Sequence, residues 1–141
     1  MIVLDTNVVS ELLRPAPAAQ VEAWLAGQDG ASVYFTAVGD AELRHGLAIL
    51  PAGKRREALM KAVEGILEHE FRDRVLAFDR DAARAYANIA AERRAAGRPI
   101  SQFDCQIAAI ARANGASVAT RNTADFAGCG IVLIDPWAQR P

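Results

Sequence analysis

Short unbroken apolar runs alternate along the chain with longer stretches in which apolar residues recur every three or four positions. Residues 1–4 are apolar throughout and too few for a helix, the pattern of a strand buried on both faces of a parallel sheet. The same reasoning predicts strands over 32–36, 75–78, 117–120 and 131–134. Between them, Val8, Val9, Leu12 and Leu13 predict a helix capped by Thr6 or Asn7 and stopped by Pro15 and Pro17, and Val21, Trp24 and Leu25 predict a second. Further helices are expected over 38–50, ended by Pro51, and over 54–71, 79–96 and 101–115. Segment 54–71, carrying Leu59, Ala62, Val63, Ile66 and Leu67, shows the clearest amphipathic period. Alternating strands and helices imply an α/β fold: one domain over residues 1–141, with a parallel central sheet flanked by helices on both faces.

Composition narrows this picture. A hydrophobic fraction of 52% suffices for one sizeable core, and with aromatics at only 6% that core must be filled by aliphatic and small side chains. A formal net charge of −1 supplies no long-range field for nucleic acid, so any attraction for RNA has to be local. The apolar runs are of strand length, far short of the roughly 20 residues that span a bilayer, so no membrane association is expected. Cys105 and Cys129 lack zinc-ligand spacing and no secretory leader precedes the first strand, which fits a reduced cytoplasmic setting.

Ligands of open α/β sheets gather outside the carboxyl ends of the strands, and Asp5 falls at such an end. Glu42 lies on the helix after the second strand, Asp104 opens a later helix, and Asp125 follows the fourth strand, so four acids from separate segments could converge. An all-oxygen cluster suits magnesium, which keeps several waters and takes one or two carboxylates plus substrate phosphate. Each acid also has a plainer reading: Asp5 as a turn acceptor, Glu42 as a solvated helix residue, Asp104 as a helix-start acid within Ser101-Gln102-Phe103-Asp104, Asp125 as a loop cap. His45 and His69 lack a two-histidine zinc spacing. Arg93, Arg94 and Arg98 read as a solvated basic face that could meet phosphates, and Trp24 and Trp137 as packing residues.

Four stretches resemble one family in the correct order. Ile2-Val3-Leu4-Asp5-Thr6-Asn7-Val8-Val9-Ser10-Glu11 is similar to the opening of VapC toxins, the PIN-domain ribonucleases of type II toxin–antitoxin pairs. Ala41-Glu42-Leu43-Arg44-His45-Gly46 resembles that family's glutamate motif, Asp104-Cys105-Gln106-Ile107-Ala108-Ala109 its second aspartate motif, and Thr120-Arg121-Asn122-Thr123-Ala124-Asp125-Phe126 its last, with the FitB-like branch most similar. The resemblance implies a metal-dependent endoribonuclease toxin in which Asp5, Glu42 and Asp104 hold Mg2+ or Mn2+ directly or through water, and Thr6, Asn7 and Thr120 orient ligands and water around them. Many PIN domains carry an acid where this chain has Asn122, so a fourth acidic role either moves to Asp125 or is absent. Also implied are an RNA substrate, a VapB-like antitoxin, a homodimer and a higher assembly with the antitoxin on DNA. A phosphoryl-transfer enzyme with an aspartate nucleophile would carry a second aspartate at position 7, where this chain has Asn7. A non-catalytic PIN-like regulatory module acting with a DNA-binding antitoxin is the reading from another class.

Overall fold

A computed structural model describes residues 1–138 of the chain. The elements run β1 (Ile2–Leu4), α1 (Thr6–Leu12), α2 (Ala19–Ala26), β2 (Val33–Thr36), α3 (Ala37–Ala48), α4 (Lys54–Gly65), β3 (Val75–Leu76), α5 (Arg80–Ala95), α6 (Gln102–Ala113), β4 (Ser117–Ala119) and β5 (Leu133–Ile134). The strands form one sheet in the order β3-β2-β1-β4-β5, with every adjacent pair parallel. All carboxyl ends therefore lie along one edge. The chain builds outward from β1 through β2 to β3, then crosses back to place β4 on the other side of β1. That reversal makes the β1–β4 boundary the switch point where α/β sheets open a crevice.

Because strand side chains alternate between faces, Val3 and Val118 pack on one side against Ile107, Ala108 and Ile110 of α6 and Ile89 of α5. Leu4, Ala119, Val33 and Phe35 pack on the other against Val8 and Val9 of α1 and Leu43 of α3. The expected α/β sandwich is thus observed, with helices on both faces. In α6, Cys105 and the consecutive run from Ile107 to Ala111 are all buried, so this helix is apolar well beyond one stripe and its period is muted in the sequence.

Segment 54–71 departs from the uniform helix its period predicts. It leaves α-helical geometry at Gly65 for a π-helical turn over Ile66–Glu70, closed by the Phe71 N–H donating to the Ile66 carbonyl at 3.1 Å. Only Val63, Leu67 and Phe71 bury, at four-residue intervals, while Ala62 is exposed. The wider turn sets the Phe71 ring against Phe35, with centroids 5.9 Å apart. Gly39 gives α3 its seat on β2, since a Cβ there would lie 2.5 Å from the Phe35 ring. The α1 cap also differs from expectation: Asp5, not Thr6 or Asn7, accepts the first-turn N–H, which leaves both neighbouring side chains available for other partners.

Arg93 is not part of a solvated face. It is buried, donating from Nε to the Arg98 carbonyl at 2.6 Å and from Nη1 to the carbonyls of Asp125 at 2.9 Å and Ala127 at 2.7 Å. One guanidinium thus fastens the end of α5, the turn before α6 and the loop after β4, whereas Arg94 and Arg98 are exposed. No helix among the described residues is long and apolar enough to cross a membrane. Arg93→Met keeps the alkyl volume but strands three carbonyls, and is expected to lower unfolding stability by about 3 kcal/mol in urea titration. Arg94→Met, as the exposed control, should stay within about 0.5 kcal/mol.

Candidate active site

Strand register builds the centre of the site. Leu4 lies opposite Ala119 in the β1–β4 ladder, so Asp5 and Thr120, each one residue further, emerge side by side at the carboxyl edge. The Asp5 N–H closes this junction by donating to the Ala119 carbonyl at 2.9 Å. Thr120 is fully buried, and its hydroxyl accepts from the Asn122 N–H at 3.0 Å and from Asn7 Nδ2 at 3.3 Å. With both lone pairs engaged, its single proton is directed at Asp5 Oδ2, 2.8 Å away. The other Asp5 oxygen accepts the Thr6 N–H at 2.8 Å, and the Thr6 hydroxyl donates to Glu42 Oε1 at 2.8 Å. Thr6 therefore orients two acids at once, from its backbone and from its side chain.

Glu42 arrives through α3, whose start is fixed at the end of β2 by Thr36: this buried hydroxyl accepts the Gly39 N–H at 2.9 Å. Asp104 comes from the first turn of α6, where the Ser101 hydroxyl accepts the Asp104 N–H at 3.2 Å. The capping reading of this motif is thus correct for the backbone, and it leaves the Asp104 carboxylate facing the cleft. Asp5, Thr6, Asn7, Glu42, Asp104 and Asn122 all line one open pocket of about 560 Å³.

Burial of Asp5 beside other acids lifts its carboxyl pKa to about 6, because desolvation and the charges of Asp104 and Glu42 outweigh the Thr120 and Thr6 hydrogen bonds. Burial also raises Glu42, with a contribution from Asp104. Asp104 is raised by burial and by Asp125, and the Ser101 hydroxyl and Arg93 offset only part of this. The site is thus a set of carboxylates held together against their mutual repulsion. Among the described residues no three His, Cys, Asp or Glu side chains form a ready ion cage. Asp5 and Glu42 are each turned toward a threonine, so the arrangement falls short of three ligands on one common point.

Thr6, Asn7 and Thr120 all stand at this junction, Thr6 bonded to Asp5 and Glu42, Asn7 to Thr120, and Thr120 to Asp5. Asp125 does not line the pocket: it is exposed on a 3-10 turn over Thr123–Phe126 and reaches Asp104 only through its charge. Asn122 takes the place at the pocket wall. His45 and His69 are exposed and lie outside it. Several residues of the pocket escape a reading built on Asp5, Glu42, Asp104 and Asp125. Glu11 is buried there and paired with Arg14 at 3.3 Å, and Arg121 and Trp137 form another stretch of wall. Helical spacing could have exposed the first pair, because Asn7, Ser10, Glu11 and Arg14 share one face of α1 and its continuation. Trp137, expected only to pack, also faces the pocket.

A parallel α/β sandwich with clustered acids at its switch point defines a class of domain, and comparison with known proteins gives the family. Residues 2–128 match the model of the PIN domain, and the chain belongs to that family, in its VapC- and FitB-like toxin branch. It is 46% identical over 137 residues to VapC ribonuclease Y4jK of Sinorhizobium fredii, covering 97% of this chain and 98% of that one. Among solved structures it resembles FitAcB from Neisseria gonorrhoeae with TM-score 0.92 and 40% identity, covering 99% of this chain and 100% of the other. It resembles FitAB bound to an IR36 DNA fragment with TM-score 0.93 and 38% identity, covering 100% and 99%.

The raised Asp5 pKa sets a sign for stability. The folded state binds the Asp5 proton more tightly than the unfolded chain, so this contribution is fully present below about pH 4 and is lost as pH rises through about 6. In metal-free buffer, the unfolding free energy of Asp5→Asn minus that of the unaltered chain should grow by up to about 3 kcal/mol between those limits and be flat outside them. A difference independent of pH across that window would show that Asp5 ionises in the fold as it does in water.

Proposed function

We propose that this chain is the toxin of a type II toxin–antitoxin pair and that it cleaves RNA phosphodiester bonds with Mg2+, for which Mn2+ can substitute. The observation that carries this reading is the buried Asp5, held beside Glu42 and Asp104 in an open pocket with its charge uncompensated by any basic side chain bonded to it. Such a set gains most from a hard cation, and magnesium needs only one or two carboxylates when waters and substrate phosphate complete its shell. Asp5, Glu42 and Asp104 would hold the ion, one or two of them directly and the rest through its waters. When bound, it supplies charge neutralisation at the phosphate and a more acidic water.

The chain's own residues supply the rest. Thr120 and the Thr6 N–H fix the two oxygens of Asp5, and the Thr6 hydroxyl fixes one oxygen of Glu42, so each acid presents its free lone pairs to the pocket in a set direction. Asn7 braces Thr120 and, through Oδ1, accepts the Arg121 N–H at 3.4 Å, joining the start of α1 to the loop after β4. Burial, and the charge of Asp125 from outside the pocket, raise the proton affinity of Asp104, so its carboxylate gains from a cation placed beside it. The names of the VapC relatives support ribonuclease action. The FitA and VapB complexes among the structural neighbours, two of them bound to DNA, support a VapB-like antitoxin as partner in a larger assembly on DNA, and the family resemblance adds a homodimeric toxin to this reading. The DNA-bound neighbours also favour a second reading, a regulatory PIN module that acts with its antitoxin and does not cut.

Cleavage of single-stranded RNA by the purified chain should require added Mg2+ or Mn2+ and stop in chelator. Asp104→Asn should reduce kcat at least about 100-fold while leaving metal-free stability equal or higher, because one repelling charge is gone. A substitution that lowers metal-free stability by about 0.5 kcal/mol or more with cleavage intact would reduce Asp104 to a helix-start acid. Absence of cleavage of any RNA, with tight antitoxin and DNA binding retained, would select the regulatory reading.

A further inference from the structure

RNA is a polyanion, and a pocket walled by Asp5, Glu11, Glu42 and Asp104 repels it wherever no cation intervenes. The chain has no net positive charge to compensate, so the pocket wall has to provide a local one. Two arginines line it, Arg14 and Arg121. Arg14 is already matched to Glu11 at 3.3 Å. Arg121 is exposed, makes no ion pair with a described residue, and sits with its guanidinium carbon 5.2 Å from the centroid of the Trp137 ring. Its backbone N–H is tied to Asn7, one residue beyond the helix start that caps on Asp5.

We propose that Arg121 binds a backbone phosphate of the RNA next to the bond being cut, and that Trp137 is the positioning residue that holds its guanidinium flat and aimed at the pocket. The inference rests on the nuclease reading above and names the group that makes it workable on a near-neutral protein. Cation–π contact leaves the edge N–H groups of a guanidinium free while restricting its rotamers, so the fork is set for a phosphate at little further entropic cost. An aromatic ring alone at this wall would serve base stacking. The arginine laid over it makes the contact one to the backbone and therefore indifferent to sequence.

The test uses an end-labelled, random-sequence single-stranded RNA pool, with cleavage measured in Mg2+ and binding measured by anisotropy in chelator. Arg121→Ala should raise KM about tenfold with kcat within about twofold, since the contact is the same in ground and transition states. It should also lower the slope of log affinity against log salt by about 0.7, the share of one single-strand phosphate. Arg121→Lys should keep that slope, because the charge remains. Trp137→Ala should raise KM by a smaller factor with the slope retained, and Trp137→Phe should restore it. Thermal melts verify that each variant is folded. Unchanged KM and salt slope in folded Arg121→Ala, with the unaltered chain cutting RNA, would overturn the proposal and leave the nuclease reading standing. So would unchanged RNA handling accompanied by weaker capture of the antitoxin, which would assign Arg121 to the partner. If the unaltered chain binds RNA without cutting it, the nuclease reading fails, and loss of that binding and of its salt slope in Arg121→Ala still supports the phosphate contact.

Discussion

The carboxylate of Asp5 is buried at the point where two parallel strands end, and three further features of the molecule follow from keeping it there. A buried carboxylate must have its oxygens satisfied, and here one is met by the first turn of α1 and the other by Thr120 of the neighbouring strand end. The β1–β4 register therefore cannot slip by a residue without stranding a charge as well as reversing the faces of Val118 and Ala119. The helix start is fixed by the same group, because the acid that caps α1 is the acid at the centre of the pocket. Folding and site assembly are consequently a single event at this corner.

Holding such a group has a cost that the rest of the fold offsets. Desolvation and neighbouring acids push the Asp5 carboxyl toward its neutral form, so the site works against stability near neutral pH. The supports are correspondingly stiff. α6, which carries Asp104, is the most completely buried of the described helices, and Arg93 locks the turn before it and the loop after β4 to α5. Threonine is suited to the contacts at the acids because a hydroxyl can donate to a carboxylate while accepting from a backbone or amide N–H, as Thr120 does.

Much of this was legible in the residues. The unbroken apolar run before Asp5 gives a buried parallel strand, the alternation of elements gives the α/β class, and the strand-end rule points to Asp5 as a ligand-side acid. The convergence of Glu42 and Asp104 could be drawn only from the order of motifs, since nothing in a helical period says which helix end meets which strand end. Periodicity misjudged 54–71 because a π turn shifts the burial phase without changing the spacing of apolar letters, and it understated α6 because a helix buried nearly all round has no polar face to contrast. Arg93 was misread for a related reason: three arginines in six residues look like a solvated face, and only the tertiary fold supplies the carbonyls that draw one of them inward. Asp125 and Trp137 reversed roles in the same way. A charged letter in a motif points outward here, while an aromatic letter near the end of the described chain reaches the pocket.

These reversals share a cause that bears on how the pocket is charged. Short-range hydrogen bonds decide where each acid points, but the balance of charge is set outside those bonds, with Glu11 pairing with Arg14 on α1's continuation while Asp125 adds negative potential from outside the wall. Acid letters alone would describe a pocket of uniform sign. The folded arrangement is asymmetric, with carboxylates at the β1–β4 junction and an arginine lying on an indole along the same wall. A cleft with that polarity has a direction, and an extended polyanion entering it gains most when its backbone passes the arginine and presents a single phosphate to the acids. On the proposed reading, the division of labour between binding and chemistry is thereby written into one pocket, with the Asn7 side chain bonded both to Thr120, which holds Asp5, and to the Arg121 N–H.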